Sequence, residues 1–157
     1  MLVDPNWHRW TFASVCKHVV EELITFPVFI EGSQRITQSD TETKFELRVD
    51  GPTFTIPSKG CYLGRVEVNI LCNSVMKDDN FHEIHRMVGL AAQNLGKAIC
   101  VFRLGNGLED DQSFLGRLTL LQGGGDKLET NHLGQIDRKT KIVQAMVEAH
   151  YRLELVN

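Results

Sequence analysis

Residues 143–155 read Val-Gln-Ala-Met-Val-Glu-Ala-His-Tyr-Arg-Leu-Glu-Leu, and they carry the clearest periodic pattern in the chain. Apolar side chains occupy every odd-numbered position, and polar ones occupy the even-numbered positions except at Met146. Successive side chains of a β-strand point to opposite faces of the sheet, so this alternation predicts one amphipathic strand. At ~3.3 Å per residue the segment would span roughly 43 Å, about twice the length of a typical strand.

Shorter strands are predicted upstream by the same alternation. The clearest covers residues 65–71, where Val66, Val68 and Ile70 share one face. Further strands are predicted at residues 28–30, 45–49, 53–56, 98–103, 114–121 and 127–136, with a turn at Asp50-Gly51-Pro52. The polar run at residues 33–43 and the segment at residues 104–113 are predicted to be loops.

Two helices are predicted from apolar spacing and terminal signals. The first begins at Asp4-Pro5, ends at Phe26-Pro27, and has an apolar stripe of Trp7, Trp10, Ala13, Cys16, Val20, Leu23 and Ile24. The second follows the capping residues 78–80, ends at Gly96, and carries Phe81, Ile84, Val88, Ala91, Ala92 and Leu95.

The order of these elements predicts the fold class. A helix is followed by several strands, a second helix and several more strands, with one strand-helix-strand unit and hairpin-length links elsewhere. We therefore predict an α+β two-layer sandwich, in which a mostly antiparallel sheet carries two principal helices on one face. No linker or internal repeat interrupts the chain, so residues 1–157 are expected to form a single domain.

Composition and charge limit the classes of function. With 42% hydrophobic and 24% charged residues, the chain has the composition of an ordinary globular protein. A net charge of -3 argues against a protein that binds nucleic acid by neutralising phosphates. Since the sequence offers neither a signal peptide nor a stretch of ~20 apolar residues, we expect a soluble, intracellular product.

The cysteines do not form a recognisable motif. Cys16, Cys61, Cys72 and Cys100 are far apart and lack the spacing of zinc sites or redox pairs. We interpret them as reduced thiols that pack as small apolar side chains, with disulfides as the alternative.

Several polar groups were considered as catalytic or metal sites. His82 and His85 have the i, i+3 spacing of a helical metal pair, but without a third ligand the pattern favours surface histidines. Gly123-Gly124-Gly125 lacks the Lys-Ser/Thr pair of a phosphate loop, so a hairpin loop is favoured. Glu109, Asp110 and Asp111 lack the ligand alternation of a calcium site and predict an exposed acidic loop. No nucleophile motif surrounds Ser14, Ser74 or Cys16.

The sequence therefore predicts no catalytic residue, metal site or cofactor. The alternative is a small-molecule enzyme or binding domain that uses His82, His85 or His150 in a pocket.

The assembled pattern resembles phage neck proteins, especially the tail-terminator family. The resemblance lies in Trp7-His8-Arg9-Trp10, in Glu46-Leu47-Arg48-Val49-Asp50-Gly51-Pro52, in the strand and capped helix of residues 65–95, and in the closing stretch of residues 148–155. It implies a non-enzymatic virion subunit, assembled in the host cytoplasm, that forms a ring, often a hexamer, between tail tube and head-side connector. DNA would pass through the ring without sequence-specific binding. The chain departs from the family in its long loop at residues 104–113.

The long final strand suggests where subunits would meet. A strand longer than its domain needs leaves unpaired edge groups that a neighbouring subunit could use. The candidate interface residues are Trp7, Trp10, Glu148, His150, Arg152 and Glu154. Two alternatives remain open: the strand pairs entirely within its own chain, or the protein is another tail or head-completion subunit.

Overall fold

The computed structural model describes residues 4–31, 43–58, 61–75, 81–103, 113–121, 128–137 and 142–155. Its elements are helix α1 (Trp7–Glu22), strands β1 (Val28–Ile30), β2 (Lys44–Ser58) and β3 (Cys61–Val75), helix α2 (His82–Leu95), and strands β4 (Ile99–Phe102), β5 (Phe114–Leu120), β6 (Leu128–Asp137) and β7 (Ile142–Leu155). The predicted α+β class is confirmed.

The strands form a single sheet in the order β1-β2-β3-β7-β5-β4, and β6 pairs with β7 beside β5. The pairing of β1 with β2 is parallel, whereas the other pairings are antiparallel. Hairpin-length links join β2 to β3 and β6 to β7, and both of these pairs are antiparallel.

Strand β7 is the central strand of the sheet. One of its edges pairs with β3 from Ile142 to Leu153. Its other edge pairs with β6 from Ile142 to Ala149 and with β5 from Tyr151 to Leu155. Both edges are therefore occupied within the chain, and β7 offers a neighbouring subunit no free edge of the kind suggested by its length.

The core lies between the two helices and one face of the sheet. The alternating pattern of β7 is confirmed, because Val143, Ala145, Val147, Ala149 and Tyr151 are all at most 3% exposed. The same cluster contains buried residues of α1, α2 and the neighbouring strands. Met146 lies on the opposite face and is half-buried.

The turn predicted at Asp50-Gly51-Pro52 is wrong, since β2 continues through it to Ser58. The pairing with β3 shifts register between Asp50 and Thr53. Gly51 has a φ of +106°, and a Cβ at this position would lie 2.7 Å from the carbonyl oxygen of Arg65. The glycine therefore serves a β-bulge inside a long strand, and glycine at a bulge resembles a turn signal in sequence.

Helix α1 is shorter than predicted. Its N-cap residue is Asn6, and the carboxylate of Asp4 accepts hydrogen bonds from the backbone and side-chain nitrogens of Asn6, both 2.9 Å away, without capping the helix. The helix ends at Glu22, before Phe26-Pro27.

The buried face of α1 also differs from the predicted stripe. Thr11, Ser14, Val15 and Val19 are buried, whereas Val20 is 47% exposed. The hydroxyl of Ser14 accepts a hydrogen bond from the backbone nitrogen of Phe102 at 3.1 Å, which explains how a polar side chain is accommodated there. Helix α1 therefore has apolar residues on an outer side as well as in the core.

Helix α2 follows the prediction more closely. Ile84, Met87, Val88, Ala91 and Leu95 are buried, and Gly96 is the C-cap residue. Phe81 precedes the helix and is 49% exposed. Among the described residues, no helix has the length and apolarity needed to cross a membrane.

Candidate functional site

The face of the sheet opposite the helices carries the polar side chains of β3 and β7. Cross-strand partners in a sheet point to the same face, and the register places Glu67 opposite His150 and Asn69 opposite Glu148. All four of these side chains are half-buried. We call Glu67, Asn69, Glu148 and His150 the open-face cluster.

The charged ends of this cluster converge. One ligand atom from each of Glu67, Glu148 and His150 lies within 4.8 Å of the other two. The amide nitrogen of Asn69 donates a hydrogen bond to Oε1 of Glu67 at 3.2 Å. The side-chain oxygen Oδ1 of Asn69 is buried and has no hydrogen-bond partner among the described residues.

Ion pairs lie on two sides of the cluster. Nε of Arg48 lies 3.4 Å from Glu31 Oε2 and 3.2 Å from Asp50 Oδ2. Arg152 pairs with Glu154, whose carboxylate also accepts a hydrogen bond from the hydroxyl of Thr119 at 3.2 Å. The hydrogen bond from Arg152, followed by that from Thr119, lowers the pKa of Glu154. These arginines are therefore directed to other carboxylates.

No protein-family model matches the sequence, and no curated protein matches it either.

A second feature with functional potential is the outer side of α1. Phe12, Val20 and Ile24 are 43%, 47% and 82% exposed. They are spaced in multiples of four residues, and half-buried Cys16 occupies the intervening position. Side chains four apart lie on one face of a helix, so Phe12, Cys16 and Val20 form a line along α1, and exposed Ile24 follows just beyond the end of the helix. We call Phe12, Cys16, Val20 and Ile24 the outer stripe.

The predicted interface residues lie in different environments. Trp10 is 6% exposed and belongs to the core, whereas Trp7 is half-buried with its ring centroid 5.4 Å from that of Trp10. Glu148 and His150 belong to the open-face cluster, while Arg152 and Glu154 lie beside it and are exposed. Glu109, Asp110 and Asp111 lie outside the described residues, as does the glycine run at residues 123–125.

The serine, histidine and cysteine side chains that remain from the sequence analysis lie outside the open-face cluster. The hydroxyl of Ser74 donates to Glu83 Oε1 at 3.0 Å, which ties the end of β3 to the first turn of α2. His82 and His85 are exposed on that same helix and lie outside the open-face cluster. Cys16, Cys72 and Cys100 are free thiols, and the side chain of Cys61 lies outside the described part.

Glu67 was not among the predicted site residues. Its position on the polar side of a strand was evident, because it alternates with Val66 and Val68. Its proximity to His150 depends on the pairing of β3 with β7, which are separated in sequence by helix α2 and three strands. The alternation of each strand identified the face but not the register.

Proposed function

We propose that this protein is a structural virion subunit that forms a homo-oligomeric ring at the phage neck, in the role of a tail terminator joining the tail tube to the head-side connector. The observation that carries the proposal is the outer stripe of α1. Phe12 and Val20 on α1 are 43% and 47% exposed, and Ile24 just after the helix is 82% exposed, although the other side of α1 packs on the core. A line of this kind favours burial against another protein surface.

A second copy of the chain is the proposed partner of the outer stripe. The resemblance to ring-forming neck proteins, noted from the element order, supports self-association. Charged residues of both signs, Lys17 and Glu21, are exposed on the same helix and would form a polar rim around the apolar line. Because both edges of β7 are occupied, contact through α1 replaces the strand-edge contact expected from the sequence.

The test is the oligomeric state of the purified full chain. Light scattering coupled to size exclusion and negative-stain microscopy should give discrete rings, with a hexamer as the expected size. The double variant Val20→Lys/Ile24→Lys should be monomeric, since charge would be forced into the contact. Glu21→Lys changes an exposed residue next to the stripe and should still form rings. A wild-type protein that remains monomeric at high concentration would overturn the proposal.

The position in the particle distinguishes a tail terminator from another tail or head-completion subunit. Mass spectrometry of purified virions, with and without tails, would assign the protein to the tail or to the head. Genes for portal, connector, sheath or tube proteins on either side of its own gene would support the neck. A gene within a metabolic operon would favour a small-molecule enzyme or binding domain.

A further inference from the structure

We propose that Glu67, Glu148 and His150 bind one divalent transition-metal ion, of the zinc class, on the open face of the sheet. The three side chains come from the paired central strands β3 and β7. Their ligand atoms already lie within 4.8 Å of one another. This proposal is independent of ring formation, since it concerns a different surface from the outer stripe.

The distances suit a metal after small side-chain adjustments. Zinc binds imidazole nitrogen and carboxylate oxygen at about 2.0–2.2 Å, so neighbouring ligands in a tetrahedral site lie about 3.3 Å apart. Rotations about the outer bonds of the two glutamates can close the difference, because these bonds are soft. The strands that carry the ligands are held in register by the central pairing of the sheet, so the backbone need not move.

The ligand types indicate which metal the site would take. One imidazole with two carboxylates is a mixed nitrogen and oxygen set, which suits zinc, nickel or manganese better than magnesium or calcium, because the latter prefer oxygen alone. Three protein ligands leave at least one coordination position for water. The proposed ion is therefore bound at an open site.

Asn69 supports the position of one proposed ligand. Its amide nitrogen is already used by Glu67, whereas its buried oxygen Oδ1 has no partner among the described residues. A buried acceptor without a partner is unfavourable. The bond from Nδ2 orients the Glu67 carboxylate. Asn69 would thus be a positioning residue for the site.

The charges at the site also favour a cation. Glu67 and Glu148 bring two carboxylate groups close to each other, and a cation placed between them is attracted to both. The nearby guanidinium groups of Arg48 and Arg152 pair with Glu31, Asp50 and Glu154. Within the described ranges, no salt bridge joins Glu67 or Glu148 to a lysine or arginine. A bound divalent ion would lie against both carboxylates.

Calorimetry and thermal unfolding would test the site on the tag-free full chain after treatment with a chelator. Zinc chloride should bind with one ion per chain and raise the melting temperature, whereas magnesium chloride should leave it unchanged. His150→Gln and Glu148→Gln should each abolish the stoichiometric binding. Asn69→Ala should weaken it about ten- to a hundred-fold, as loss of an outer contact to a metal ligand typically does.

The matched control is the double variant His82→Gln/His85→Gln, which removes two exposed histidines from α2. It should bind zinc as the wild type does. Absorption bands of bound Co²⁺ give a readout that does not depend on stability, and they should be lost in His150→Gln even where that variant remains folded by circular dichroism. Absence of binding to the wild type, or binding that survives His150→Gln but is lost in the α2 variant, would overturn the proposal. Either result would leave the ring proposal untouched.

Discussion

The hydroxyl of Tyr151 donates a hydrogen bond to the main-chain carbonyl oxygen of Leu95, 2.5 Å away. Tyr151 lies in the middle strand of the sheet and is fully buried, and Leu95 is the last residue of α2. The last carbonyl groups of a helix lack partners within the helix, so this bond satisfies one of them inside the core. It joins the end of α2 to the centre of the sheet.

Removal of this hydroxyl should destabilise the fold. We expect Tyr151→Phe to lower the free energy of unfolding by about 1–3 kcal/mol, because the carbonyl of Leu95 would remain buried without a partner. Urea denaturation followed by circular dichroism would measure the change. Thr119→Val removes a hydroxyl from the open face and is the control, with an expected change below about 0.5 kcal/mol. Equal stability of Tyr151→Phe and wild type would contradict the role of the bond.

Glycine substitutions should have opposite effects in β2 and α2. Gly51→Ala should destabilise by more than about 1 kcal/mol, because the φ of +106° and the 2.7 Å approach to the Arg65 oxygen leave no place for Cβ. At Gly89, an exposed residue of α2, a Cβ would meet nothing within 4 Å. Gly89→Ala should therefore stabilise by about 0.5–1 kcal/mol. The urea concentrations at which the two variants are half unfolded should move in opposite directions relative to wild type. A shift of both in the same direction would be inconsistent with the bulge.

Two adjacent valines test the orientation of α1. Val19 is 0% exposed and Val20 is 47% exposed. Val19→Ala should cost about 2 kcal/mol through lost apolar burial. Val20→Ala should be neutral or slightly stabilising in the monomer, since alanine is the better helix former. Measurement at low protein concentration separates this effect from assembly. A larger loss of stability for Val20→Ala than for Val19→Ala would instead support the apolar stripe predicted from sequence.

Glu22 should make stability depend on acidic pH. Its carboxylate accepts hydrogen bonds from the Asn94 amide at 3.1 Å and from the Lys97 ammonium at 3.2 Å, which tie the two helices together. Partial desolvation acts to raise the pKa of Glu22, but the hydrogen bond from Lys97, the charge of His18 and the remaining contacts lower it below 4.5 overall. A lowered pKa in the folded state means that the stabilisation is present above the unfolded pKa and is lost as the pH falls.

The comparison of Glu22→Gln with wild type would measure this dependence. The wild type should have the higher melting temperature at pH 6, and the difference should disappear as the pH falls towards 3. The effect should be small because Glu22 and Lys97 are exposed. Glu21→Gln, which removes the same charge one residue earlier, should not reproduce the profile. A difference that stays constant from pH 6 to 3 would exclude the pairing as its cause.

The buried thiol of Cys72 should be unreactive in the folded protein. Burial raises the pKa of Cys72 to about 12 and that of Cys16 to about 11. Iodoacetamide requires the thiolate, so at pH 8 Cys72 should be labelled only after unfolding in urea, as peptide mass spectrometry would show. Raised thiol pKa values also predict that stability declines as the pH rises above about 9, where the unfolded thiols ionise. Rapid labelling of Cys72 in the native protein would contradict its burial.

Local sequence patterns were sufficient for most of the elements. The alternation in residues 143–155 and 65–71 identified β7 and β3, because a strand with one buried face must change polarity at every residue. The spacing of Ile84, Val88, Ala91 and Leu95 likewise identified the buried face of α2. Such patterns can be recognised in a sequence when one face of an element packs on the core and the other is exposed to water.

The same reasoning failed where one residue type serves two purposes. Gly51 and Pro52 are common in turns, yet here they lie in a bulge of β2. Val20 in α1 and Ile24 just after it are apolar but exposed, while Thr11 and Ser14 of α1 are polar but buried. Hydrophobicity alone could not separate a core face from an outer apolar line.

The α+β class, the long final strand and the polarity of each strand face could be predicted, since these depend on the order of side chains along the chain. The folded structure was needed to see that β7 is central, that its two edges are filled by β3, β5 and β6, and that Glu67 lies opposite His150. Strands that are distant in sequence can pair in many registers. The alternation of side chains determines which face a residue occupies, but it does not determine the cross-strand partner of that residue. The open-face cluster exists because β3 and β7 pair in this register.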